Sequence, residues 1–76
     1  MRILAKNIKT NPDYTIAIEF DNGENKLFDV KPFLDKGAFR QLTNIEIFRT
    51  AKVVDGAVEW NNSIDFSPDT LYLLSN

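Results

Sequence analysis

Residues Tyr14-Thr15-Ile16-Ala17-Ile18-Glu19-Phe20 alternate without a break, and Asp21-Asn22-Gly23-Glu24 follows at once. Successive side chains of a strand point to opposite faces, so Tyr14, Ile16, Ile18 and Phe20 share one face and Thr15, Ala17 and Glu19 the other. Asn-Gly is the pair that best tolerates the positive φ angles of a type I′ turn. Asn25 to Val30 is therefore expected to return as the second arm of a hairpin, with Phe28 and Val30 on one side and Leu27 and Asp29 on the other. Arms joined so tightly must pair antiparallel, and their apolar face must be covered by the rest of the chain. The expected class is α+β: a small antiparallel sheet of about five strands packed against short helices, with residues 1–76 forming a single domain.

The flanking segments can be read in the same way. Arg2 to Lys9 supplies Ile3, Leu4 and Ile8 as a first strand, ended by the turn residues Asn11-Pro12-Asp13. Lys31-Pro32-Phe33-Leu34-Asp35-Lys36-Gly37 suits one short helical turn, with Pro32 at the first helical position and Gly37 as the stop. Ala38 to Leu42 and Asn44 to Phe48 follow as a second turn and a short helical segment. Phe39, Leu42, Ile45 and Phe48 recur at intervals of three there, which sets four large apolar groups near one face as a plug over the sheet. Thr50 to Val54 and Ala57 to Trp60 read as strands about an Asp55-Gly56 turn, with Val58 and Trp60 pointing together and Glu59 away. The indole N–H of a buried Trp60 needs a carbonyl acceptor. Asn61-Asn62-Ser63 reads as a polar loop and Ile64-Asp65-Phe66 as a short extended piece. Ser67-Pro68-Asp69 has the order of a helix start: a capping hydroxyl, a proline at the first position and an acid in the first turn. That helix ends near Ser75 and has Leu71, Tyr72 and Leu74 to bury.

Composition excludes several chemistries. The chain has no histidine and no cysteine. Ser-His-Asp and Cys-His nucleophile pairs, a histidine base, a thiolate or imidazole zinc site and a disulfide framework are all unavailable. Gly23, Gly37 and Gly56 stand apart at turns, so no phosphate loop is present. Neither a signal-peptide apolar core nor a membrane-spanning run occurs, and a cytoplasmic location is expected. No cofactor is expected, and the chain is not expected to be an enzyme.

Charge is unevenly placed. Residues 1–52 hold all nine cations against seven acids, net +2, while residues 53–76 hold Asp55, Glu59, Asp65 and Asp69 with no cation, net −4. Arg2, Lys6, Lys9, Lys26, Arg40, Arg49 and Lys52 suggest a basic patch, but a pI near 4.9 is far below the value above about 9 of an electrostatic DNA binder. Direct nucleic-acid binding is not expected. The C-terminal third offers two candidates. Trp60, Asp65, Phe66, Asp69 and Tyr72 are the candidate partner-binding residues, with the aromatic pair Trp60 and Tyr72 as anchors for a peptide or a second copy of the chain. Glu59, Asp65 and Asp69, within eleven positions of one another, are the alternative: a small-ligand or divalent-metal site.

Taken together, Tyr14-x-Ile16-x-Ile18-x-Phe20-Asp21-x-Gly23-Glu24, Phe28-Asp29-Val30-x-Pro32, Gly37-x-Phe39, Leu42 and Phe48 form one part of a longer pattern. Its closing part is Glu59-Trp60-x-x-x-x-Asp65-x-x-Pro68-Asp69-x-Leu71-Tyr72. The whole resembles the small bacterial domain-of-unknown-function family twenty-four forty-two. The closing run is the most specific part of that resemblance. It implies antiparallel strands packed on short helices. It also implies proteins that stand alone, are fused to a helix-turn-helix segment, or are encoded beside a second small protein in pairs suggestive of toxin and antitoxin. It carries over no catalytic residue, and a fused segment of that kind is not expected within these 76 residues. The expectation is a protein-interaction module, through a protein partner or self-association, of the kind that forms the antitoxin-like or regulatory half of a two-protein pair.

Overall fold

The computed structural model describes residues 3–60 and 64–76. Arg2, the expected start of the first strand, and the expected polar loop Asn61-Asn62-Ser63 lie outside the described residues. Strands β1 (Ala5–Thr10), β2 (Thr15–Phe20) and β3 (Asn25–Asp29) form one antiparallel sheet in that order. Two 3-10 stretches, Lys31–Phe33 and Gly37–Thr43, lead to a single-turn helix α1 (Ile45–Phe48). Strands β4 (Lys52–Val54), β5 (Ala57–Glu59) and β6 (Asp65–Phe66) form a second antiparallel sheet, and helix α2 (Pro68–Leu74) closes the chain. The α+β class is as expected, but the strands divide into two sheets of three in place of one sheet of about five. Lys6 is the cause. It is an extra residue between Ala5, which faces Phe20, and Asn7, which faces Glu19. A bulge of this kind bends and twists its strand. The Ala5 N–H therefore turns from β2 and donates to the Gly56 carbonyl at 2.9 Å, joining the sheets at a corner.

Three hairpins have turns that lie wholly among the described residues, and these are closed in two ways. Between β4 and β5, Asp55 and Gly56 have φ of +50° and +81° and join the paired residues Val54 and Ala57, which is a two-residue type I′ turn. The Asn22-Gly23 turn is different. The Gly23 N–H donates to the Phe20 carbonyl at 3.0 Å and the Phe20 N–H to the Glu24 carbonyl at 2.8 Å, while only Gly23 of the two has positive φ. This is a three-residue loop, a type I turn followed by a left-handed residue, and the expected I′ turn is corrected accordingly. The first hairpin repeats the form: Tyr14 N–H to Asn11 carbonyl at 3.1 Å and Asn11 N–H to Thr15 carbonyl at 2.8 Å. There the left-handed position is held by Tyr14, at φ +67°. A bulky residue in that region costs roughly 1–2 kcal/mol, and local contacts hold it. The Asp13 carboxylate accepts from the Thr15 N–H at 3.1 Å and its hydroxyl at 2.6 Å, and the Tyr14 ring meets Phe48 edge-on at 5.2 Å. The Tyr14 hydroxyl donates to the Thr43 carbonyl.

Alternation decides what is buried. Ile16, Ile18, Phe20, Phe28 and Val30 face inward from the first sheet, and Val58 and Phe66 from the second, with Trp60 beside them. Residues at intervals of three eclipse one another in a 3-10 helix. Phe39 and Leu42 accordingly share one face of the second 3-10 stretch, and Ile45 and Phe48 follow from α1; Leu42 and Phe48 are buried, with Phe39 and Ile45 half-buried on the same core. The Trp60 indole N–H donates to the Phe48 carbonyl at 2.9 Å, as the sequence required, and ties the helical plug to the second sheet.

Helix α2 starts where its sequence dictates. The Ser67 hydroxyl accepts from the Thr70 N–H at 3.3 Å, Pro68 holds the first helical position and Asp69 lies in the first turn. A seven-residue helix is marginal alone and depends on docking, which Leu71 supplies by full burial. Ser67→Ala removes the cap and is expected to cost about 1 kcal/mol, read as a lower urea midpoint with unchanged slope.

Candidate functional site

The five residues singled out in the C-terminal third fall into two groups. Trp60 and Phe66 are 1% and 4% exposed. The Phe66 ring packs between Phe28, Phe33, Phe39 and Trp60, with centroids 4.8 to 5.9 Å away. Both are core residues that hold the sheets together. Asp65 and Asp69 are exposed, and Tyr72 is half-buried. On the outer face of the second sheet, Glu59 stands between Lys52 on β4 and Asp65 on β6. Lys52 thus offsets the two adjacent carboxylates from one side. Asp69 sits on α2, and no group of three acidic side chains converges as a metal cage among the described residues.

Tyr72 connects elements. Its hydroxyl donates to Glu24 Oε1 at 2.5 Å, and the Asn22 side-chain amide donates to the same oxygen at 2.6 Å. The Lys26 ammonium lies 3.9 Å from the Tyr72 ring centroid and donates to the Tyr72 carbonyl at 3.4 Å. Two charged residues of the β2–β3 hairpin thereby fasten α2. The Tyr72 and Asn22 donors hold the Glu24 carboxyl below its ordinary range, and the same carboxylate pushes the Tyr72 phenol up. Asp13 is lowered by the Thr15 hydroxyl and Asp29 by the Lys31 ammonium, 3.0 Å away.

A carboxyl whose folded pKa is depressed adds stability above its unfolded pKa, and that stability is lost as pH falls through the folded value. Glu24 contributes in this sense. Tyr72→Phe is expected to move the Glu24 titration back up toward the ordinary glutamate range and to weaken the acid dependence of stability. Carboxylate NMR titration and urea midpoints across the acid range would check both.

The exposed apolar groups lie elsewhere. Leu73, Leu74 and Leu27 are 77%, 53% and 45% exposed. Leu74 was expected to bury; instead the helix ends there and the backbone extends at Ser75, sending Asn76 alongside β3. The Leu27 N–H donates to the Asn76 carbonyl at 2.7 Å and the Asn76 N–H to the Leu27 carbonyl at 2.9 Å, a reciprocal antiparallel pair. This places Leu74 two residues from the partner of Leu27, where α2 ends beside the outer edge of β3. Beside it, on the first sheet, is a shallow depression of about 420 Å³ lined by Lys9, Ala17, Glu19, Leu27 and Asn76 among others. Ala17, between Lys9 and Leu27 across the strands, is the small residue that leaves the hollow. The sequence carried a signal for these leucines. Leu27 falls on the face opposite Phe28, and Leu71, Leu73 and Leu74 cannot all face one way on a helix.

No described helix is long and apolar enough to cross a membrane. A family model described as a protein of unknown function (DUF2442) matches residues 5–76. No curated protein and no solved structure matches the chain.

Proposed function

The chain belongs to the DUF2442 family of proteins of unknown function, and from that premise we propose that it is a non-enzymatic protein-interaction module that docks its partner on the Leu27, Leu73 and Leu74 surface. The carrying observation is the exposure of those three leucines where α2 ends against β3. Large apolar side chains gathered at one surface mark interaction sites more often than scattered single ones do. The absence of histidine and cysteine supports a role in binding over one in catalysis. The resemblance noted above supplies the specific form: the antitoxin-like or regulatory half of a two-protein pair, inside the cell. Trp60 and Phe66 serve that role by shaping the domain, and Tyr72 by fixing α2 in place; Asp65 and Asp69 remain exposed where a basic partner could meet them.

Affinity purification of the tagged chain from its native cells should recover a second protein in stoichiometric amount. Leu73→Glu with Leu74→Glu should abolish the recovery while far-UV circular dichroism stays unchanged. Recovery of nothing in stoichiometric amount, or recovery indifferent to the leucines, would overturn the proposal.

A further inference from the structure

Bonding alternates along an antiparallel ladder. The Phe20–Glu24 and Tyr14–Val30 backbone bonds fix that alternation in the first sheet, so Lys26 and Phe28 bond to β2 while Asn25, Leu27 and Asp29 turn their N–H and C=O groups outward. Of these three, only Leu27 has a backbone partner among the described residues, and that partner is Asn76. Among the described residues β3 is otherwise an open edge, with Leu27 exposed at its centre. Edges of this kind template pairing with another chain unless something blunts them. The bulge at Lys6 and the exposed Lys6 and Lys9 blunt β1. β3 has no bulge, and Asn76 stands at its midpoint.

We propose that β3 is an assembly edge held shut by Asn76, and that on release of Asn76 two copies of the chain pair antiparallel through β3 about Leu27. The β3 sequence suits a second copy. A two-fold axis at Leu27 sets Leu27 against Leu27 of the second copy, Asn25 against Asp29 and Lys26 against Phe28. No like charges face one another, and leucine meets leucine at a directly opposed position, where cross-strand pairs interact most strongly. Leu27 would recover from the second copy the same reciprocal pair of bonds that Asn76 now makes. The flanking Asn25 and Asp29 pairs would add outward groups that Asn76 does not engage, giving about six backbone bonds across the dimer in place of four, two in each copy. The inference goes beyond the docking of a partner on the leucine surface, because it concerns the purified chain alone.

The test is sedimentation velocity across a concentration series for the unaltered chain, for Asn76→Pro, which removes the N–H given to Leu27, and for Asn76→Pro with Leu27→Lys. The unaltered chain should remain monomeric. Asn76→Pro should dimerise at least about tenfold more tightly, and the added Leu27→Lys should restore the monomer by setting like charges opposite one another. If circular dichroism shows that the proline variant has lost the fold, deletion of Asn76 replaces it with the same expected results. Three results would overturn the proposal: sedimentation of the variant identical to the unaltered chain, equally tight dimerisation of the unaltered chain, or a variant dimer that survives Leu27→Lys. The partner purification varies only Leu73 and Leu74, so the two proposals can fail separately.

Discussion

Trp60→Ala is expected to lower stability by about 3–5 kcal/mol, the range for truncating a large buried aromatic. Three contributions act together. The ring is 1% exposed and fully packed, stacked on Phe48 at 6.1 Å and edge-on to Phe66 at 5.9 Å. Its removal opens a cavity between the helical plug and the second sheet, where the ring touches both Phe48 and Phe66. The Phe48 carbonyl also loses its indole donor. A domain of this length has a total stability on the order of 5–10 kcal/mol, so the change takes away a large part of it. Trp60→Phe separates the contributions. It keeps most of the packing but leaves the Phe48 carbonyl without its partner, at about 1–3 kcal/mol. Urea unfolding followed by circular dichroism gives both values without relying on the fluorophore that has been removed. A Trp60→Phe cost near zero would mean that the carbonyl finds water and that the indole bond matters little.

The same tryptophan illustrates which parts of the fold a sequence discloses. The carbonyl acceptor that its indole needs once buried and the Ser67-Pro68-Asp69 helix start were legible because each follows from local chemistry: an indole with one donor, a hydroxyl that caps, a proline with no N–H to satisfy; whether Trp60 is core or surface anchor was not. Asp55-Gly56 was legible for the same reason. The division into two sheets was not, because it depends on one extra residue at Lys6 and on where the Ala5 amide then finds its acceptor. Tyr14 in a left-handed conformation was hidden as well, since Pro12 and Asp13 announce a turn but not which residue must follow it. The candidate site was only half legible. Phe66 occupies a two-residue strand, too short for alternation to tell inside from outside, and it belongs to the core. Leu73 could be suspected from helical geometry, but the approach of Asn76 to Leu27 is a contact between residues forty-nine positions apart that no local pattern encodes.

Gly56→Ala is expected to cost about 2–4 kcal/mol, through two effects that can be measured apart. The first is conformational: at φ +81° an L-residue with a Cβ is strained, by about 1 kcal/mol for alanine. The second is contact. A Cβ at Gly56 would lie 2.6 Å from the Leu4 Cβ and 2.7 Å from its Cδ2. Overpacking of this kind costs typically about 1–3 kcal/mol. The clash falls where the Ala5 N–H meets the Gly56 carbonyl, so relieving it pulls on the hydrogen bond that joins the two sheets. Gly23→Ala serves as the control, because Gly23 has a similar φ of +89° with nothing within 4 Å of the added carbon, and it should cost the conformational part alone. The difference between the two urea midpoints then isolates the contact with Leu4. Leu4→Ala should not rescue Gly56→Ala, since alanine retains the Cβ that makes the closest approach, whereas Leu4→Gly should recover part of the loss. Equal costs at Gly56 and Gly23 would show that the corner between the sheets yields without penalty, and that the Ala5–Gly56 bond does not hold them in a fixed relation.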